Sequence, residues 1–72
     1  MDIRKQVGIN LRRLRREKGW SQEDMAFESG LHRTYVSGIE RGVRNPTLLI
    51  LEKLATTLGV APAELVARSS KR

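Results

Sequence analysis

The sequence predicts an all-α fold of five short helices, and three observations carry that expectation. Apolar residues recur at steps of three and four along most of the 72 residues, with no strand-like alternation. Gly19, Gly30, Gly42 and Gly59 fall where those periodic segments stop. Ser21 and Thr47 stand immediately before two of the segments, where a short hydroxyl side chain can cap a helix. There is no repeat and no low-complexity tract, so residues 1–72 read as one compact domain.

The first helix is expected over residues 3–18. Ile3, Val7, Leu11 and Leu14 are spaced by four, four and three, which puts them on one stripe. Gly19, behind Lys18 in the last turn, ends it. Ser21 opens the second helix with Asp24 three residues on, a capping-box-like pair, and Met25 and Phe27 bring apolar bulk. The third runs over residues 33–41 to the stop at Gly42, and a loop covers residues 43–46. Thr47 caps a fourth through Leu58, with Leu51, Leu54, Ala55 and Leu58 on one face. Pro62 suits the first position of a short fifth helix carrying Leu65 and Val66. The tail, residues 68–72, is polar and basic and is expected to fray.

The segment QEDMAFESGLHRTYVSGIE, residues 22–40, says most about function. Counting from Gln22, Ala26 is fifth, Gly30 ninth, Val36 fifteenth and Ile39 eighteenth. Ala26 is small enough for two helices to cross closely, and Gly30 suits a tight connection needing positive φ. Val36 and Ile39 turn an apolar edge of the second of these helices to the first. Arg33, Thr34, Ser37 and Arg41 are left on the outward face. That is a helix-turn-helix with a polar second helix, whose natural partner is the major groove of DNA.

Composition narrows the alternatives. Fourteen basic against eight acidic residues give a formal charge of +6, a footprint expected of a nucleic-acid binder. With no cysteine and one histidine, a disulfide framework and the common zinc sites are out. One small core is marginal at this length, which leaves good helix packing and self-association as the sources of stability. The scattered Ser, Thr and single His supply no triad, metal cluster or phosphate-cradling loop, so neither catalytic residues nor a cofactor are expected. There is no spanning apolar run and no leader, and a cytoplasmic protein with no membrane partner follows.

The run SQEDMAFESGLHRTYVSGIERGVRNPT resembles the helix-turn-helix of the Cro/CI-type (XRE) regulators, a lambda-repressor-like five-helix DNA-binding fold. Within that family, LHRTYVSGIERGVRNPTL most resembles the controller proteins of restriction-modification systems. The resemblance implies a role for each matching residue. Arg33, Thr34 and Ser37 match positions that read base edges. Gln22 matches a backbone-contacting position that orients the next helix, and Arg44 and Asn45 match the loop that meets the DNA backbone and sometimes the minor groove. Arg15 and Glu40 match a pair that bridges the first and third helices. The sequence departs from the pattern at Gly38, which has no side chain at a frequent base-contacting position, and at Ala61, which replaces the usual polar cap.

Each residue also has a plainer reading. Arg33 can fork onto guanine O6 and N7, or rest on phosphate. Thr34 and Ser37 can touch base edges or phosphates. His32 caps poorly at a helix start and is read as a phosphate contact. Tyr35 offers its hydroxyl to phosphate or packs its ring beside the turn, and Arg41 belongs with the backbone-facing set. Arg12, Arg13 and Arg16 scatter around the first helix, most of them as a solvated face that adds long-range attraction and one or two near phosphate. Trp20 reads as a wedge between the first two helices. The run Leu48 to Leu51 is too continuous for one face. Its surplus, Leu48 or Ile50 with Val60, Leu65 and Val66, is expected to meet a second copy of the chain.

The expectation is thus a homodimeric, sequence-specific regulator of a pseudo-palindromic operator, with recognition helices roughly 34 Å apart. Double-stranded DNA and a second copy are the expected partners, with RNA polymerase a candidate third. No ligand domain is visible, so control would come from the protein's own concentration. Resemblance to controllers implies activation at low levels and repression at high ones. The rival reading is an antitoxin-like helical module whose main partner is another protein.

Overall fold

Short-range signals define where each helix begins and ends. The computed structural model describes residues 2–68. It contains α1 (Ile3–Glu17), α2 (Gln22–Ser29), α3 (Arg33–Glu40), α4 (Leu48–Leu58) and α5 (Ala63–Val66), with no strand among the described residues. Asp2 caps α1: its carboxylate accepts from the Arg4 amide at 2.8 Å and from the Arg4 guanidinium at 2.7 Å. The hydrogen bond from the Arg4 side chain draws the Asp2 carboxyl down to about 2. At α2 the capping box is reciprocal. The Asp24 amide donates to Ser21 Oγ at 3.0 Å and the Ser21 amide donates to the Asp24 carboxylate at 2.9 Å. Thr47 Oγ1 accepts from the Ile50 amide at the start of α4. The fifth helix begins one residue later than expected, with Pro62 itself in the capping position. The expected fraying of the tail falls, Arg68 apart, on residues outside the described ones.

One hydrophobic core joins all five helices. Leu11, Met25, Val36, Ile39, Leu54 and Leu65 are its largest fully buried side chains, with Val7, Leu14, Ala26, Leu51, Ala55 and Leu58 packed with them. Trp20, Leu31 and Tyr35 pack against its edge. Two expectations fail here. Ile3, at the N-terminal end of the α1 stripe, is exposed rather than enclosed in the core. Phe27 is 83% exposed and adds nothing to the core; one position past Ala26 on a helix, it points away from the contact face.

Close approach of α1 and α3 depends on Gly8. A Cβ there would lie 2.5 Å from the carbonyl oxygens of both Ile39 and Glu40, so only glycine lets the two backbones meet at this spacing. A second tie holds the carboxy-terminal end. Asn10 Nδ2 donates to the carbonyls of Leu65 and Ala67, both at 2.8 Å, and Gln6 Nε2 donates to Asn10 Oδ1 at 3.1 Å. Both side chains are buried, and no buried side-chain polar atom among the described residues lacks a partner. α5 has no side-chain cap of its own, so these bonds from α1 take over the anchoring.

Candidate nucleic-acid interface

Gly30 makes the turn between α2 and α3. It adopts φ +77°, and its amide donates to the Ala26 carbonyl at 2.8 Å, closing α2 with a left-handed cap. Ala26 is buried where α2 meets α3, and Val36 and Ile39 are fully enclosed. With those two pointing inward, Arg33 and Thr34 are exposed and Ser37 is half-buried on the remaining faces of α3. His32 precedes them, exposed, and makes no side-chain capping bond. Arg41 follows at the C-terminal cap, also exposed.

The orientation of α3 is held from behind by a buried carboxylate. Glu40, its last residue, has a side chain with no solvent exposure. It accepts from Arg15 Nε at 2.6 Å and Arg15 Nη2 at 3.0 Å, a two-point fork from α1. Arg15 spends a further donor on the Trp20 carbonyl at 2.6 Å, tying in the α1–α2 turn. Gln22 Nε2 donates to Glu40 Oε1 at 3.1 Å from the start of α2, and Arg12 Nε lies 3.3 Å from the same oxygen. Burial alone would push the Glu40 carboxyl up. The hydrogen bonds from Arg15 and Gln22 and the Arg15 charge outweigh it, and the carboxyl lies below its ordinary range. Arg15 is correspondingly raised by its hydrogen bond to Glu40. One carboxylate therefore gathers α1, α2 and α3.

This network revises two of the sequence expectations. Arg12 belongs to it rather than to a purely solvated face, because its guanidinium reaches Glu40 from the next turn of α1. Gln22 has its amide donor turned inward on Glu40, and the Asp24 amide is taken by Ser21, which leaves the Gln22 side-chain carbonyl and the backbone amides of Gln22 and Glu23 for any outside partner. Nothing in the spacing of Gln22 and Glu40, eighteen residues apart, could have revealed that contact.

The loop after α3 brings Arg44 and Asn45 to the surface. Arg44 lies over the Tyr35 ring, with Cζ 5.9 Å from the ring centroid, and Tyr35 is half-buried beneath it. Asn45 borders a shallow apolar cleft of about 90 Å³ whose other walls are Ile3, Val7, Pro46, Leu51, Val66 and the Arg4 stem. On the far side of the loop, Leu48 is 83% and Leu49 76% exposed. Ile50 and Val60 are half-buried against the chain's own core, and Val66 is partly exposed. Leu65 must be removed from the expected interface set: it is 0% exposed, enclosed by the chain's own core. Leu49 takes its place among the uncovered apolar residues. No group of three or more His, Cys, Asp or Glu side chains able to hold a metal occurs among the described residues. No helix there is long and apolar enough to cross a membrane.

A small-residue crossing, a left-handed glycine turn and a polar α3 locked to α1 through a buried ion pair together make a helix-turn-helix. The helix-turn-helix family model HTH_3 matches residues 11–65, and the chain belongs to that family. It is 54% identical to the HTH-type transcriptional regulator y4dJ of Sinorhizobium fredii, over 92% of this chain and 86% of that protein. Among solved structures it resembles the restriction-modification controller protein C.AhdI of Aeromonas hydrophila. The TM-score is 0.83 at 53% identity, covering 86% of this chain and 94% of that one. It also resembles the controller protein C.Esp1396I, solved as a tetramer in complex with its natural 35 base-pair operator. Here the TM-score is 0.81 at 40% identity, covering 90% and 86% of the two chains.

Proposed function

We propose that this chain is a sequence-specific, homodimeric transcription regulator acting on a pseudo-palindromic operator in the manner of restriction-modification controllers. The observation that carries the reading is the exposed polar face of α3, held rigid against α1 and α2 by the Glu40 network. A pre-organised recognition element binds more tightly, since every degree of freedom lost on binding costs affinity. Arg33, Thr34 and Ser37 read base edges, with Arg33 forking onto a guanine. Gln22, His32, Tyr35, Arg41 and Asn45 meet the sugar-phosphate backbone, and the surplus positive charge draws the duplex in.

Dimerisation follows from the uncovered apolar residues Leu48, Leu49 and Val66, with Ile50 and Val60 at their border. A second copy on that face pairs two α3 helices across successive major grooves. The likeness to a controller protein solved on its operator supports this reading. RNA polymerase is a candidate further partner in it.

Selection of bound duplexes from a randomised pool, followed by footprinting, tests the proposal. The expected product is a two-fold related pair of half-sites with centres about 10 bp apart, occupied by two chains. An unrelated set of sequences with no shared half-site would refute it. A protein pulled down in the absence of DNA, together with that failure, would mark an antitoxin-like module instead.

A further inference from the structure

The two carbonyls that Asn10 grips, those of Leu65 and Ala67, stand on either side of Val66. Leu65 is enclosed in the core, whereas Val66 is partly exposed and borders the cleft walled by Ile3 and Pro46. Gln6, one turn before Asn10 on α1, donates to Asn10 Oδ1. That bond settles which way the Asn10 amide faces, since the reverse orientation would set its oxygen against two carbonyl oxygens. α5 has four residues and no side-chain cap, too little to hold a position by itself. Burying two amides costs desolvation that an apolar pair would avoid, and what the satisfied pair adds is one fixed arrangement. The same α1 packs on α3 as well as on α5. Gly8 admits the α3 backbone and Arg15 forks onto Glu40 at the end of α3, with Asn10 between them in sequence.

We propose that Asn10, oriented by Gln6, is a positioning residue that sets the half-site spacing the dimer accepts. It is buried in the chain's own fold and acts through Val66, which it holds at a fixed place relative to α3. The inference rests on the two-fold operator reading proposed above, in which Val66 meets a second copy and each α3 enters a major groove. Moving one half-site by a base pair shifts it by about 3.4 Å and turns it by about 35°. A dimer whose two α3 helices are tied rigidly to its interface cannot follow both changes without strain. One that hinges at α5 can follow them, and would accept several spacings. Asn10 removes that hinge by fastening both sides of Val66 to the helix that carries α3.

The variants Asn10→Ala and Gln6→Met test the proposal. The first removes both donors to α5, and the second removes only the bond that orients them while keeping the side-chain length. The probes are the duplex that the parent selects from a random pool and two derivatives with its half-sites one base pair closer or further apart. Competition titrations are run where circular dichroism shows each variant folded and sedimentation shows it dimeric. The parent is expected to prefer the selected spacing by about tenfold or more, because both α3 helices engage fully only there. In Asn10→Ala that preference should fall to within about threefold, while discrimination between single-base variants inside a half-site stays at the parent's level. Gln6→Met should move the preference the same way and by less. Lower stability alone would weaken all three duplexes by one factor and leave the preference unchanged. A folded, dimeric Asn10→Ala with the parent's preference therefore overturns the proposal. If that variant does not fold or dimerise, the parent's preference in Gln6→Met overturns it. Either result leaves the two-fold operator reading standing, whereas a parent indifferent to spacing would overturn both.

Discussion

Replacing Glu40 with glutamine should come close to unfolding the protein. The Glu40 carboxylate is fully enclosed and takes four hydrogen bonds, two from Arg15, one from Gln22 and one from Arg12. Glutamine keeps the shape and one acceptor but removes the charge, and its amide nitrogen would face the Arg15 guanidinium, donor against donor. Arg15, itself buried, is left without a counter-charge, a change that costs about 3–5 kcal/mol. A domain of this length holds on the order of 4–11 kcal/mol in all, so the loss is a large share of the total. Urea denaturation followed by circular dichroism measures it: with a slope of about 1 kcal/mol per molar, the midpoint should fall by about 3 M or more. Arg12→Ala is the control. Its side chain is nearly half exposed and lies at the rim of the network, so its loss should cost under ~1 kcal/mol. The same pair gives a pH dependence. A carboxyl held below its ordinary range contributes stability that is complete above the glutamate range of about 4.3. That contribution disappears as pH falls through the depressed folded value, so the difference between the parent protein and Glu40→Gln should shrink on acidification. A midpoint shift equal to that of Arg12→Ala, or a difference that grows in acid, would refute the idea that this carboxylate locks α3.

Three further outcomes are expected. Gly8→Ala gains helix propensity but drives a methyl into two backbone carbonyls, and should lower stability by about 1–3 kcal/mol in the same titration. Asn10→Ala removes both bonds to the carbonyls of Leu65 and Ala67, and should cost about 1–3 kcal/mol, with amide exchange accelerating first in α5. Leu49→Glu, on an exposed residue, should leave folding within about 0.5 kcal/mol of the parent while sedimentation shifts from dimer to monomer.

Helix ends and the turn were legible in the sequence because their causes are local. Ser21 with Asp24, Thr47, and glycines at the ends of periodic segments each act within four residues, and the structure places caps at those points. Apolar periodicity likewise separates Val36 and Ile39 from Arg33 and Thr34. What stayed hidden depends on distant partners. Asn10 and Gln6 look like surface amides until the carbonyls of residues 65 and 67 arrive beside them. Gly8 looks like a defect in a helix until α3 crosses it. Leu65 and Leu49 are both apolar residues near a helix end, and only the packed arrangement of the helices distinguishes the enclosed one from the exposed one. Arg15 and Glu40 were matched through family resemblance, whereas the additional reach of Arg12 and Gln22 to the same carboxylate required coordinates.

If α3 reads bases, Arg33 is the side chain that shows it most directly. Its side chain stands in the first turn of the helix, exposed and clear of the Glu40 network, so its removal should leave folding unchanged. Titrations of the parent and Arg33→Ala against every single-base variant of the selected duplex, at fixed salt, isolate its role. The expected result is a loss of about 1–3 kcal/mol on the selected duplex, with discrimination abolished at one base pair per half-site and retained elsewhere. An equal loss on every variant would make Arg33 a phosphate clamp and would contradict the assignment of base reading to this residue.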